Sequence, residues 1–307
     1  MKKLLAATVI AGCGAEPAPS AREGGPTWTV LRGDYPEVEV APFDAAVLSW
    51  NGDGVDGRFE LRVRSAGTWS SWFTMGRAAG GKLSSVKQPG VDVDTLLLPA
   101  PADGFQVRAE GAAIRSLAVT HWLRRAERSP DGARSAAWGR TLDVPLRSQT
   151  SERAEIAGRI CSPTSLAMAL EFLGVKRSTE EIAELVYDHD AGIYGNWSFN
   201  AAVAGRLIGE SFVVRADGFA LLESEVVAGR PVVLSHKWKK GELTGAPVES
   251  SDGHLVVVVG FSETGDVVVN DPAAKPGTVR RTYRRAEIWR TWQQNASGIV
   301  YLLRPRK

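Results

Sequence analysis

Cysteine is nearly missing from this chain: 307 residues contain two, Cys13 and Cys161. Cys13 lies in a segment read below as an export signal, so no intrachain disulfide is expected. Histidine numbers four, and no second His or Cys stands at ligand spacing from any of them, which argues against a metal site. Apolar runs are too short to span a bilayer. Charge of one sign does not accumulate either. The net charge is +2, the pI is near 8.5, and no Lys/Arg cluster falls on one expected helix, which argues against nucleic acid as a partner. No glycine-rich loop follows a strand and opens a helix, so a nucleotide is not expected, nor any other cofactor. What remains is an ordinary globular composition on a chain long enough for two cores.

Residues 1–13 read as an export signal. Lys2 and Lys3 precede a short apolar core over 4–10. Ile10-Ala11-Gly12-Cys13 then resembles a bacterial lipoprotein cleavage box, with Cys13 as the lipidated first residue and a membrane as its partner. Gly14, not Asp, follows, which fits outer-membrane delivery in a bacterium with two membranes. An ordinary secreted protein is the alternative. Residues 14–27, small and polar with Pro17, Pro19 and Pro26, read as a flexible tether.

Residues 28–124 alternate short strands with turns. Arg58-Phe59-Glu60-Leu61-Arg62-Val63-Arg64 has the period of a half-buried strand. Similar runs at 47–50, 69–73, 93–98, 105–108 and 117–120 predict an all-β, sandwich-like domain, in which His121 is structural. Trp50, Trp69 and Trp72 are expected in its core or rim, with a sugar-stacking platform as the alternative. Asn51, Asp53 and Asp56 lack the ligand set of a calcium loop and read as a turn. Polar residues 125–140 read as a linker.

From 141 to 307 the character changes. Leu166, Ala169, Leu170 and Leu173 recur at helical spacing, and Ser178 with Glu181 forms a capping box for a second helix. Two more helices are expected over 199–207 and 219–228. Strands follow at 232–235, 255–261, 266–270 and 298–303. Helices first and antiparallel strands later predict an α+β domain with the cysteine helix packed on the sheet.

Three residues in this second domain have the placement that thiol chemistry needs. Cys161, in Ile160-Cys161-Ser162-Pro163, opens a helix whose unpaired N–H groups favour a thiolate. His254, at the entry of a valine strand, is placed to hold the thiol's proton, and Asp271, ending the next strand, to orient the ring. If 262 pairs with 267 across the turn, His254 faces 275; Asp271 then has the right parity but falls four residues short, a gap that a bulge or twist has to close. Gln149 and the Cys161 N–H are the candidate oxyanion donors. His236 ends a strand near Trp238 and only approaches the cleft, and His189 between two aspartates lacks metal partners. A buried, inert Cys161 is the competing reading.

The segments Val144-Pro145-Leu146 with Gln149, Cys161-Ser162-Pro163-Thr164-Ser165, Asp252-Gly253-His254-Leu255 and Asn270-Asp271-Pro272 resemble the C39-like cysteine peptidases, which have a papain-like fold. The resemblance covers about 142–303. It implies Cys161 as nucleophile, His254 as base, Asp271 as orienter and Gln149 as oxyanion donor. Tyr194-Gly195-Asn196-Trp197 resembles a segment of exported members and implies that Tyr194, Asn196 and Trp197 line the cleft. Ser162 stands where many relatives have Gly, which would narrow the approach to substrate. No ATPase or membrane-spanning part accompanies these motifs, so coupling of cleavage to export is not implied. The expected activity is hydrolysis of a peptide or amide, cell-envelope peptides among the candidates. A papain-fold binding protein without turnover, and an acyltransferase or transpeptidase, are the alternatives.

Overall fold

The computed structural model describes residues 22–25, 27–53, 56–111, 113–125 and 133–306. The export signal with Cys13 lies outside these residues, as does most of the tether. The remainder of the tether is not loose chain: β1 (Arg22–Gly25) pairs antiparallel with β2 (Trp28–Leu31).

The first half consists of strands. After β2 come β3 (Val38–Gly52), β4 (Gly57–Ser65), β5 (Thr68–Trp69), β6 (Phe73–Ala79), β7 (Lys82–Ser84), β8 (Val91–Asp92), β9 (Thr95–Gly111) and β10 (Ile114–Trp122). Instead of two packed sheets they form one continuous sheet ordered β1-β2-β10-β3-β9-β4-β6-β7, with β5 beside β4 and β8 beside β9. The core is enclosed by curl. Trp50 of β3 stacks on Phe59 of β4 with centroids 3.9 Å apart, although β9 lies between the two strands. In a flat sheet they would stand about 9–10 Å apart. Register shifts in the β3–β9 pair, on either side of Phe43, supply the bend.

Trp50 is therefore core, whereas Trp69 and Trp72 are half-buried at the rim. The Arg62 guanidinium lies 4.7 Å from the Trp69 ring centre and 4.9 Å from that of Trp72, and Arg108 lies 4.3 Å from Trp72. Arginine engages the rings that a sugar would need. His121 is buried between Phe43 and Phe105, a structural position. Asn51, expected in a turn, instead lies within β3, next to its last residue, and is fully buried.

The second half carries α1 (Ala154–Ala157), α2 (Cys161–Phe172), α3 (Thr179–Val186), α4 (Trp197–Ile208), α5 (Phe219–Val227) and α6 (Arg285–Ile288). Its strands are β11 (Gly209–Arg215), β12 (Val232–Trp238), β13 (Ser251–Phe261), β14 (Val267–Asn270), β15 (Arg280–Tyr283) and β16 (Ile299–Pro305), in the antiparallel order β11-β16-β12-β13-β14-β15. The Ser178–Glu181 capping box forms as expected. Valine runs without a polar face, as in β13, are explained by burial on both sides. Leu255, Val257 and Val259 share a core with Leu166 and Leu170 of α2, and Val256 and Val258 share another with Phe219 and Leu222 of α5.

The two halves are packed together along α4 and β11. Leu48, Trp50 and Phe59 belong to the same apolar core as Leu166, Ala201 and Val213. Ser198 donates to the Leu48 carbonyl at 2.8 Å, and the Asn51 amide accepts from Ser211 N at 2.8 Å and donates to its carbonyl at 3.1 Å. The described end of the linker is docked as well, with Trp138 bridged to Phe261 and Thr141 to Gly260. Among the described residues no helix is long and apolar enough to cross a membrane.

Candidate active site

Cys161 is the first residue of α2, and no side chain caps that helix end, so its N–H groups stay free for an anion. Two serines set the helix in place. Ser165 donates to the Leu255 carbonyl at 2.9 Å, tying α2 to β13 beside His254. Ser162 is buried and donates to Asn200 at 2.9 Å, with the Tyr301 hydroxyl 3.1 Å away. Its hydroxyl faces inward, so it does not narrow the cleft as expected. Instead it links the cysteine helix to α4 and β16.

His254 and Asp271 meet through Nε2 and Oδ1 at 2.8 Å, the histidine side chain 5% exposed and the aspartate side chain fully buried. The expected register gap is halved rather than closed, by a turn one residue longer than expected and by a bulge. Phe261 faces Val267, but past Val259 the pairing slips, so that Val257 faces Asn270. Continued, this register sets His254 opposite Ala273, two residues beyond Asp271 on the same face. Asp271 Oδ1 also accepts from Ala273 N at 3.0 Å, and Oδ2 accepts from the Tyr283 hydroxyl at 2.7 Å. Both oxygens are thus aimed. With Nε2 committed to Asp271, Nδ1 is the ring nitrogen left to act on the Cys161 thiol.

Electrostatics favours the charged pair. Burial pushes the Cys161 thiol up, but the hydrogen bond and charge of His254, with the Leu255 and Ser162 N–H groups, outweigh it and hold the thiol below its ordinary value. Burial likewise opposes the imidazolium, yet Asp271 and Cys161 raise His254 above its ordinary value. Burial would raise Asp271; the His254 and Tyr283 bonds bring it below the usual carboxylate range. A thiolate beside an imidazolium, backed by a carboxylate, is the state these groups support.

His236 is more intimate with the site than its sequence position implied. It pairs across β12 and β13 with His254, their rings 5.7 Å apart, while Trp238 meets the His254 ring edge-on at 5.5 Å. Burial and the His254 charge depress His236 to about 3, so it stays neutral, its Nδ1 3.2 Å from the Thr291 hydroxyl. Gln149 is drawn to the other side of the triad: its N–H donates to the Pro272 carbonyl at 2.9 Å, and Ser148 donates to that of Ala274 at 2.6 Å. The Gln149 Oε1 is buried without a hydrogen-bond partner.

A cleft of about 620 Å³ opens beside Cys161, lined among others by Tyr194, Trp197, Ser235 and Leu255. Asn196 does not join them, contrary to expectation. It caps α4, accepting from Phe199 N at 3.1 Å, and donates to Asp188 at 2.9 Å, so its amide is spent inside. Sequence reasoning missed two contributors. Tyr283 sits on a strand that no pattern announced, and residues 92–95 of the first half line the cleft although 65 residues lie between Thr95 and Cys161.

A cysteine at a helix start, with a strand histidine and its carboxylate, is an arrangement that cysteine peptidases use. The chain belongs to the Peptidase_C39 like family, whose model matches residues 141–299. A solved structure, the peptidase domain of Streptococcus ComA, described as a bi-functional ABC transporter in a quorum-sensing pathway, is similar at 20% identity. The likeness covers 48% of this chain and 93% of that one with a TM-score of 0.35. No curated protein matches the chain.

Proposed function

We propose that this chain is an exported, lipid-anchored thiol peptidase or related amide hydrolase working through an acyl-enzyme. The observation that carries this reading is the buried His254–Asp271 bond at 2.8 Å beside a thiol held below its ordinary value. The Cys161 thiolate attacks the scissile carbonyl carbon, forming a C–S bond and moving the carbonyl electrons onto oxygen. The Cys161 N–H and the Gln149 amide are the proposed donors to that oxyanion. His254, protonated, gives its Nδ1 proton to the departing amine as the C–N bond breaks. The neutral ring then takes a proton from water, which adds to the thioester and releases the acid and the thiolate. Asp271 holds the ring throughout by its bond to Nε2.

Purified protein offered mixed peptides, cell-envelope peptides among them, tests the reading. Cys161→Ala and His254→Ala are each expected to abolish cleavage, and activity equal to wild type in both variants sinks the assignment. Anchoring is tested separately. Expressed in a bacterium, the wild type is expected to enter the detergent phase and Cys13→Ala the aqueous phase; identical partitioning counts against the lipid.

A further inference from the structure

The strand-built half supplies a wall of the cleft for which the proposed reaction has no use. Asp92 pairs with Thr95, so Val93 and Asp94 form a two-residue loop between β8 and β9. Val93 has a φ of 56°. The first position of such a loop accepts left-handed backbone readily from glycine or asparagine, and a branched side chain there is strained. Strain of this kind persists only where the surroundings over-determine it. Here Asp94 clamps the turn. Its buried carboxylate accepts from Trp197 N at 2.5 Å, at the start of α4, and from the Thr95 hydroxyl at 3.0 Å. Because both halves share one core, the wall stands at a set place relative to Cys161.

We propose that this turn is a specificity element: Val93 forms, with Trp197 and Leu255, the apolar wall of a subsite that receives an aliphatic side chain of the peptide. This rests on the peptidase reading of Cys161. All three residues line the same cleft as the thiol. Charged groups of both signs line the cleft, Asp92, Asp94 and Asp252 with Arg159 and Lys237, and the Asp94 carboxylate is occupied by Trp197 N and the Thr95 hydroxyl, so shape and apolar contact are left to discriminate. The strand-built half is then a working part of the active site, beyond the reach of the family match at residues 141–299.

Val93→Gly and Val93→Asn test this in the full chain. Both residues are comfortable at positive φ, so neither endangers the fold. Cleavage of a peptide library locates the preferred position, and kcat/KM is then compared for peptides carrying an aliphatic, an aromatic or a polar residue there. Wild type is expected to prefer the aliphatic peptide. In Val93→Gly the aliphatic-over-aromatic ratio is expected to fall about 10-fold or more, and in Val93→Asn the aliphatic-over-polar ratio likewise. Ala66→Gly relieves a similar backbone, φ 48°, in a turn that is not part of the cleft, and is expected to leave both ratios alone. Alkylation of wild-type Cys161 by iodoacetamide is followed against pH in parallel. No thiolate reaction below about pH 8.5 overturns the peptidase reading and this inference with it. A thiolate reaction with unchanged ratios in both Val93 variants, or equal changes in Ala66→Gly, overturns this inference alone.

Discussion

Replacing Asp271 with asparagine separates the carboxylate's charge from its geometry. The asparagine oxygen can still accept from His254 Nε2 and Ala273 N, and its amide can turn to Tyr283, whose hydroxyl then accepts. What disappears is a full charge next to the imidazolium. Hydrogen bonds to charged groups contribute about 1.5–3 kcal/mol against roughly 0.5–1.5 for neutral ones. The loss is therefore about 1–2 kcal/mol, close to one pH unit. His254 is raised and Cys161 depressed in the wild type, so the reactive ion pair fills the window between the two. In Asp271→Asn the alkaline limb of kcat/KM is expected to move down by about a unit. The acid limb should rise by less, because the thiolate feels Asp271 only through the ring. A pH-rate profile superimposable on wild type would show that Asp271 does not govern the imidazolium, and the electrostatic account would be wrong.

Other consequences can be measured independently. Gln149→Ala is expected to lower kcat by about 100- to 1,000-fold with little change in KM, the pattern of a donor used in the transition state; an unchanged kcat removes Gln149 from the oxyanion site. Asp94 is raised by burial to about 6 from 3.8, so its protonated form is favoured by folding. That contribution is complete below 3.8 and is lost as pH rises through about 6, some 3 kcal/mol as an order of magnitude. Urea midpoints should therefore favour Asp94→Asn over wild type more at pH 8 than at pH 5, and a pH-independent difference counts against it. A Cβ on Gly205 would run into the Asn51 side chain and lie 3.1 Å from Ser211 N. Gly205→Ala should cost about 1–3 kcal/mol in a single cooperative transition; separate transitions would show that the halves unfold independently.

Much of the catalytic half was legible in residue order because its signals are local. The Ser178–Glu181 box, the apolar spacing of α2 and the valine strands each depend on near neighbours, and the four expected helices lie within a residue or two of expectation, whereas the one-turn α1 and α6 were not foreseen. Parity placed His254 and Asp271 on one face through an expected 262–267 pairing; the chain pairs Phe261 with Val267 instead, and a bulge restores the shared face. The bulge that joins them has no such mark, because a slipped pairing is decided by how β13 meets β14. Asn196 misled for a related reason: a polar residue before a helix suits a cleft or a cap, and only its partners Phe199 and Asp188 distinguish the two. β11 and β15 escaped notice because they are stabilised by neighbouring strands more than by their own alternation.

From order alone came the candidate thiol, histidine and carboxylate, and the change from strand-rich to mixed sequence near residue 141, since each depends on composition or short-range periodicity. Only the folded chain decided that the strand-built half curls as one sheet, shares a core with the catalytic half and lends residues 92–95 to the cleft. Those are long-range contacts. Their stability comes from apolar surface that becomes complementary only when distant segments meet, and no spacing along the chain encodes that fit.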